Sequence, residues 1–514
     1  MDSQKWFAVI ALIAVFYACP AYADPIPQWV PDPVPIATGP GQQVFVNGVE
    51  DAAGCHVIVW MGNQTGNNDI YAQRLDQSGN VLWGAGVTVC NAGGNQSTPV
   101  VVRDGGTGTI IAWHDRRAGN DDIYAQRLNA NGIPQWAANG QVVCNDGFDQ
   151  QNVVAVVDGL GGVFIAWTDM RGGGGADSDI YVQRMNAAGV AQWVANGVPT
   201  CAAVNNQERV GIVRDAADGV VVVWSDWRNG NYDIYAQRID GAGAVQWALD
   251  GVAVCAAPGD QEMDWSNAAG ISYYCSDLQG GIIVGWTDSS GADRNTQVAR
   301  VNAAGVLSWL QTVCSQAGDQ QSVRIASDGS GGVFAVWQDF RNGADNDIYA
   351  QRVSLAGAVQ WAIDGIPIAT GPTEQTSGAV VEMTGGDVVI VWIQDVGIQQ
   401  IWGQRIDVAG NPSWTANGVV VWATQPGWGG AGYRESAGGF VILICQDNGG
   451  TQDVFGQLWR DPAASSGGDH GGGAGGGGCF VTTGTRTLAW PSRFGPILFT
   501  LALAFLCTRR RARQ

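Results

Sequence analysis

The residues best suited to chemistry are carboxylates that return in a fixed pattern. Asp115, Asp121 and Asp122 are followed by Asp169, Asp177 and Asp179, by Asp226 and Asp233, and by Asp339, Asp345 and Asp347. Each group carries an arginine, namely Arg117, Arg171, Arg228 or Arg341. Several carboxylate oxygens in one place are what Ca²⁺ takes, which makes Asp115, Asp121, Asp122, Asp339, Asp345 and Asp347 candidate calcium ligands. The same residues can instead cap turn amides and pair with the neighbouring guanidinium. Recurrence favours the second role, because catalysis needs one asymmetric constellation.

Non-repeating residues are the better place to look for a site. An insertion, Gln261-Glu262-Met263-Asp264-Trp265-Ser266, is read as lying between a fourth and a first strand, on the same rim as Trp227. Near the equivalent connection further on stand Trp422, Trp428, Tyr433, Arg434 and Glu435. Aromatics beside carboxylates suit a glycan or a peptide, so Trp227, Glu262, Asp264, Trp265, Trp422, Trp428 and Tyr433 are the candidate binding residues. Cleaving a glycan would require two non-repeated carboxylates about 5–10 Å apart, for which Glu262, Asp264 and Glu435 are the candidates. With three histidines in the chain, no Ser-His-Asp triad or histidine metal centre is expected. Cys90, Cys144, Cys201, Cys255 and Cys314 share one repeat position, filled elsewhere by Ala37 and Ala369. That slot reads as small and buried. No Cys-x-x-Cys spacing points to a metal, and Cys275 with Cys314 is a candidate disulfide.

The elements that position these residues follow from an internal repeat. Asp-Ile-Tyr-Ala-Gln-Arg stands at 69–74, 122–127, 233–238 and 347–352, and its final arginine returns at 74, 127, 184, 238, 300, 352 and 405. An apolar run ending in Trp60, Trp113, Trp167, Trp224, Trp286, Trp337 or Trp392 precedes each copy, with Cys445 in the eighth slot. A second tryptophan follows: Trp83, Trp136, Trp193, Trp247, Trp309, Trp361 and Trp414. Within 206–255 the unit reads as strands over Val210–Arg214, Val220–Trp224, Asp233–Ile239 and Ala244–Val254, separated by Gly, Asn and Asp turns. Four short strands per ~50 residues predict an all-β propeller. The eighth unit lacks a fourth strand, and Pro27-Gln28-Trp29 matches Pro134-Gln135-Trp136. The N-terminal stretch is therefore expected to complete the last of eight blades, which removes an open edge; seven blades is the alternative. Such closure is similar to that of WD-repeat propellers. The Asp-x-x-Gly-x-x-x-Trp turns (Asp76, Gly79, Trp83; Asp240, Gly243, Trp247) resemble the Asp-box hairpins of sialidase-like propellers, with longer spacing and no Ser or Thr ahead of Asp. The whole repeat resembles bacterial secreted propellers, and the likeness implies a fold rather than an activity.

Both ends read as addresses. Residues 1–23 resemble a secretory signal, with Lys5, an apolar stretch and cleavage after Ala23. Residues 24–460 form the repeats and 461–478 a Gly-rich linker. Residues 479–514 hold Cys479 and a short apolar run followed by Arg509, Arg510, Arg511 and Arg513, like the C-terminal sorting signals of Gram-negative surface proteins. Export to the cell surface, outer membrane or extracellular space is expected, with a sorting protease and, through the C-terminal segment, the membrane as partners. The 514 residues carry a charge of −20 and only 14% charged side chains, against ~25% typically. An acidic chain with 23 tryptophans excludes disorder and a nucleic-acid partner. The expectation is a non-catalytic, surface-anchored module that binds a protein or polysaccharide, not an enzyme and without a cofactor. The alternatives are a structural adhesion component or a glycan-cleaving enzyme.

Overall fold

The computed structural model describes residues 23–175, 177–263, 272–423, 430–447 and 450–462. The apolar stretch of the N-terminal signal, and Cys479 with the C-terminal segment, lie outside the described residues. Eight antiparallel sheets make up an eight-bladed propeller: six consist of four consecutive strands, the fifth blade has its innermost strand in two pieces, and the eighth combines the last three strands with two short N-terminal ones. The only helix among the described residues is a single 3₁₀ turn, Gly172–Gly174.

Blade 4 shows why the motif is spelled as it is. Its strands are Gln207–Arg214, Val220–Asp226, Asp233–Ile239 and Val252–Cys255, innermost to outermost. Val220 to Asp226 is buried throughout, which accounts for its unbroken apolar run. Asp233 accepts from Asn229 and Asn231 at the hairpin tip (2.6 and 2.8 Å). Ile234 and Ala236 enter the core between blades. Tyr235 stacks on Trp224 across the strands, centroids 6.4 Å apart. The Gln237 carbonyl accepts from the backbone of Trp247 and Arg238 (2.9 Å each), and its amide donates to Ala248 O (2.6 Å). Arg238 reaches back to buried Asp215, both contacts at 2.8 Å, and Asp215 caps the turn to Gly219. Replacing Gln237 with Leu orphans three backbone groups, so the unfolding free energy from urea melts is expected to fall by about 1–3 kcal/mol. A variant as stable as the parent would show that this glutamine pins nothing.

The blades are clipped to one another by the second tryptophan. The indole N–H of Trp83, Trp136, Trp193, Trp247, Trp309 and Trp361 donates to a carbonyl of the next blade, at 2.9–3.2 Å. Trp414 donates to the Asp461 carboxylate (2.6 Å), and Trp29 closes the circle on Gln77 O (3.2 Å). The glycine of each turn is the floor on which the preceding indole lies. At Gly243, with φ +86°, a Cβ would sit 2.8 Å from Trp193, which explains the Asp-x-x-Gly spacing.

Ring closure follows the expected route. Ile26–Pro27 and Val34–Ala37 both pair with the third strand of blade 8, Gln452–Arg460, with Val34 opposite Gly456 and Ala37 opposite Val454. Trp29 is fully buried between blades 8 and 1, and its N–H bonds Gln457 (3.0 Å). The fourth strands are shorter than the sequence suggests. In blade 4 the regular strand is Val252–Cys255, preceded by a lone bridge from Ile239 to Val245.

Candidate functional site at the boundary of blades 4 and 5

The tip carboxylates are occupied by protein partners, mostly within their own hairpins. Asp115 accepts from the indole of Trp113 (2.9 Å) and pairs with Arg117 (2.6 Å), and Asp339 does the same with Trp337 (2.7 Å) and Arg341 (2.6 Å). Each guanidinium lies over a tyrosine, 3.8 Å from Tyr124 and 3.7 Å from Tyr349, and donates to the thiol of Cys90 or Cys314. The shared cysteine slot is therefore a small buried position beneath an ion pair, and burial pushes these two thiols up to about 12. Asp121 accepts from Gln151 (3.1 Å), and Asp122 accepts from Asn120 (2.9 Å) while burial pushes its carboxyl up to about 6. Asp345 and Asp347 share the Asn342 amide (2.6 and 3.0 Å). Among the described residues no group of three or more His, Cys, Asp and Glu is placed to hold a metal ion. Cys275 and Cys314 pack in one interblade cluster as free thiols, not as the disulfide considered from sequence.

Where the repeat breaks, its departures gather. The third residue of the innermost strand forms a bulge with positive φ at Phe45, Thr98, Asn152, Arg209 and Ser322 (48–55°). In blade 4 the pairing runs from Glu208–Ser225 to Gly211–Val223 across that bulge. In blade 5 Glu262 still pairs with Thr287, and the strand resumes only at Tyr274–Val284. The insertion thus corrects the sequence reading. Gln261–Glu262 belongs to the first strand, and the extra residues emerge from the bulge of the innermost strand instead of the connection before it.

Register defines equivalent positions around the ring. Val44, Ser97, Gln151, Glu208, Glu262, Gln321 and Thr376 occupy one of them in blades 1 to 7. Acids stand there only in neighbouring blades 4 and 5. Trp227 takes a position held by Asn63, Arg116, Met170, Ser289 and Phe340, each donating its N–H to the preceding connection. Tyr232 stands where other blades have Asn68, Asp121, Ser178, Arg294 and Asn346, each accepting from the glutamine that opens the next blade.

These departures touch. Trp227 and Tyr232 meet edge to face, centroids 4.7 Å apart. The Arg209 guanidinium lies 4.9 Å over the Tyr232 ring and donates to Met263 O (2.6 Å). Tyr273, just beyond the insertion, donates its hydroxyl to Arg209 O (3.0 Å). Burial raises the Tyr232 phenol, the Glu208 carboxylate adds to the rise, Arg209 opposes it, and Asp260 and Glu262 push it up again. Both glutamates therefore act on one phenol, which stays protonated at neutral pH. Blade 5 departs further: Gln297 stands opposite Trp286 where tyrosine is usual, and its amide bonds Asp288 in place of a tip arginine.

Of the residues singled out from sequence, Trp227 and Glu262 lie in this cluster, while Asp264, Trp265 and Trp428 fall outside the described residues. Trp422 is buried in the fourth strand of blade 7 against blade 8. Tyr433 is on the innermost strand of blade 8, its hydroxyl 3.2 Å from His56 Nδ1. Glu435 is fully buried and paired with Arg460 (2.6 Å), the blade 8 counterpart of the Asp215–Arg238 pair. Glu208, Arg209 and Tyr232 were not singled out from sequence, although aligning the seven Gln-x pairs that open the blades would have exposed two adjacent acids.

No protein-family model and no curated protein matches the chain. Among solved structures, the polysaccharide lyase Uly1 matches at 9% identity over 86% of this chain and 97% of that one, with a TM-score of 0.44. A PL25 ulvan lyase matches at 12% over 78% and 97%, TM-score 0.42. A Penicillium chrysogenum α-L-arabinanase complexed with arabinobiose matches at 12% over 64% and 98%, TM-score 0.33. Likeness at this level concerns the fold. The sequence reading expects a non-catalytic binding module that is not an enzyme; the neighbours named here are instead a polysaccharide lyase, an ulvan lyase and an arabinanase.

Proposed function

We propose that the protein is a glycan-cleaving propeller enzyme whose site is the cluster at the boundary of blades 4 and 5. The observation that supports this reading is the packing of Trp227 and Arg209 on Tyr232, with Glu208 of blade 4 and Glu262 of blade 5 both acting on the Tyr232 phenol; acids stand at that strand position in no other blade from 1 to 7. Two carboxylates can divide the roles of acid toward the leaving oxygen and base or nucleophile toward the anomeric carbon. A half-buried indole offers a sugar ring a flat apolar face, and the protonated phenol can donate to an oxygen gaining charge. Substrate would lie across Trp227 with its scissile bond between the glutamates.

Reducing-end release from a panel of plant and algal polysaccharides, arabinan and ulvan included, tests this. The parent should shorten at least one polymer. Glu208→Gln and Glu262→Gln should each slow it about 10²–10⁴-fold with unchanged thermal midpoints. Cleavage at the parental rate by both variants, or no cleavage of any polymer by the parent, would exclude the assignment.

We also infer that the enzyme is exported and displayed at the surface of a Gram-negative-type cell. In support, the Asp24 carboxylate accepts from Thr415 (2.8 Å) and the closing strap begins at Ile26, so cleavage after Ala23 keeps every closing contact on the mature chain.

A further inference from the structure

A second site lies at the far ends of the innermost strands, on the opposite face from the hairpin tips. Register places Glu50, Arg103, Val157, Arg214, Ser276, Ser327, Glu382 and Arg434 at one equivalent position in blades 1 to 8. The next residue is structural in seven blades. Asp51, Asp104, Asp158, Asp215, Asp277, Asp328 and Glu435 each pair with the arginine of the third strand, at 2.6–3.2 Å. In blade 7 that residue is Met383, and Arg405 pairs with Asp387 instead.

Glu382 and Arg434 stand outside this set. They face each other at 3.5 Å, longer than the structural pairs, with side chains 35% and 41% exposed. Both line a cavity of about 440 Å³ bounded by the innermost strands of blades 5, 6, 7 and 8. Its lining includes Ile325, Ala326, Val380 and Val381, whose side chains otherwise pack between blades, and more of its surface is apolar than polar; Ser276 and Ser327 bring hydroxyls to its edge. Each serine oxygen already accepts from a backbone N–H two residues on (3.1 Å), which leaves its own proton to donate.

We propose that this cavity binds a small zwitterion carrying an apolar group, of the α-amino acid class. A loosely held carboxylate–guanidinium pair is neutral as a whole. A ligand with one charge would satisfy one member and strand the other. A ligand whose carboxylate meets Arg434 and whose ammonium meets Glu382 satisfies both, and its side chain lies along the apolar part of the lining. The volume falls within the range of small-molecule sites. This proposal does not depend on the glycan-cleaving assignment, because it uses other residues at the other end of the blades.

Calorimetric titration of the full chain with L-leucine, N-acetyl-leucine and leucine amide tests it. Free leucine should bind while both capped forms bind at least ~10-fold more weakly, and Glu382→Gln and Arg434→Gln should each weaken leucine ~10-fold or more. Ser327→Trp, which narrows the cavity from its edge and leaves both charges in place, should abolish binding with the ring intact by thermal melt. N-acetyl-leucine binding as well as leucine, no leucine binding at ~10 mM, or binding indifferent to all three substitutions in folded protein would each overturn the proposal.

Discussion

Deleting residues 24–37 should convert a stable closed ring into one that unfolds early and self-associates. The strap supplies the outer strand of blade 8 and the buried indole of Trp29. Without it the third strand of that blade, Gln452–Arg460, shows an unpaired edge, which invites pairing between copies. The smaller Trp29→Ala change isolates the packing component. Removing a fully buried tryptophan costs about 3–5 kcal/mol, and Gln77 O loses the indole N–H as well, while the backbone bonds of residue 29 to Gln457 remain. Trp83, which makes the same clip between blades 1 and 2 but is only part-buried, should cost less when changed to Ala. Urea midpoints for the two alanine variants, with size-exclusion profiles for the deletion, read this out. A deletion that remains monomeric with the parental midpoint would mean that the strap does not close the ring.

Stability should also fall steeply between neutral pH and pH 4 because of His114. Its ring is buried; Nδ1 lies 2.9 Å from Thr98 Oγ1, and Nε2 accepts from Val153 N (3.2 Å), tying blade 2 to blade 3. Burial lowers this histidine to about 4 from its usual 6.5. Between these values the unfolded chain binds the proton and the folded chain does not. The contribution is therefore complete above pH 6.5 and is lost as pH falls toward 4, by about 3 kcal/mol in all. Asp122 and Asp179, both raised to about 6 by burial, work in the opposite direction over part of the range. The clean readout is thus a difference. His114→Gln should flatten the dependence of urea-unfolding free energy on pH by up to about 1.4 kcal/mol per pH unit between pH 4.5 and 6. Parallel pH profiles for parent and variant would contradict the assignment.

The architecture was legible because each blade solves the same packing problem with the same letters. Tyr235 and Trp224 must stack, Gln237 must pin the outer segment, Arg238 must meet Asp215, and Gly243 must lie beneath Trp193. The match of Trp29 to Trp136 exposed the closure for the same reason. The site was half legible. Trp227 and Glu262 stand out as exceptions, yet the pattern that marks the innermost strand begins only at Val210, so Glu208 and Arg209 read as loop. The bulge at Arg209 breaks the alternation that marks a strand, and the strand opens on a fully buried glutamine. Gln207 is tolerated there because its amide donates to Asn205 O (2.9 Å). Reading Gln261–Glu262 as a connection followed from the same irregularity, and moved the insertion from the innermost strand to the rim. Glu435 shows the converse error: an acid in an unusual context that proves to be the blade 8 form of a structural pair.

The central claim is that the function resides where blades 4 and 5 break the repeat. A crystal structure of Glu208→Gln soaked with oligosaccharides of whichever polymer the parent cleaves tests it most directly. A sugar ring stacked on Trp227, with a glycosidic oxygen within hydrogen-bonding reach of Glu262, is the predicted result. Sugar bound elsewhere on the ring, with the surroundings of Trp227 and Tyr232 empty, would contradict it.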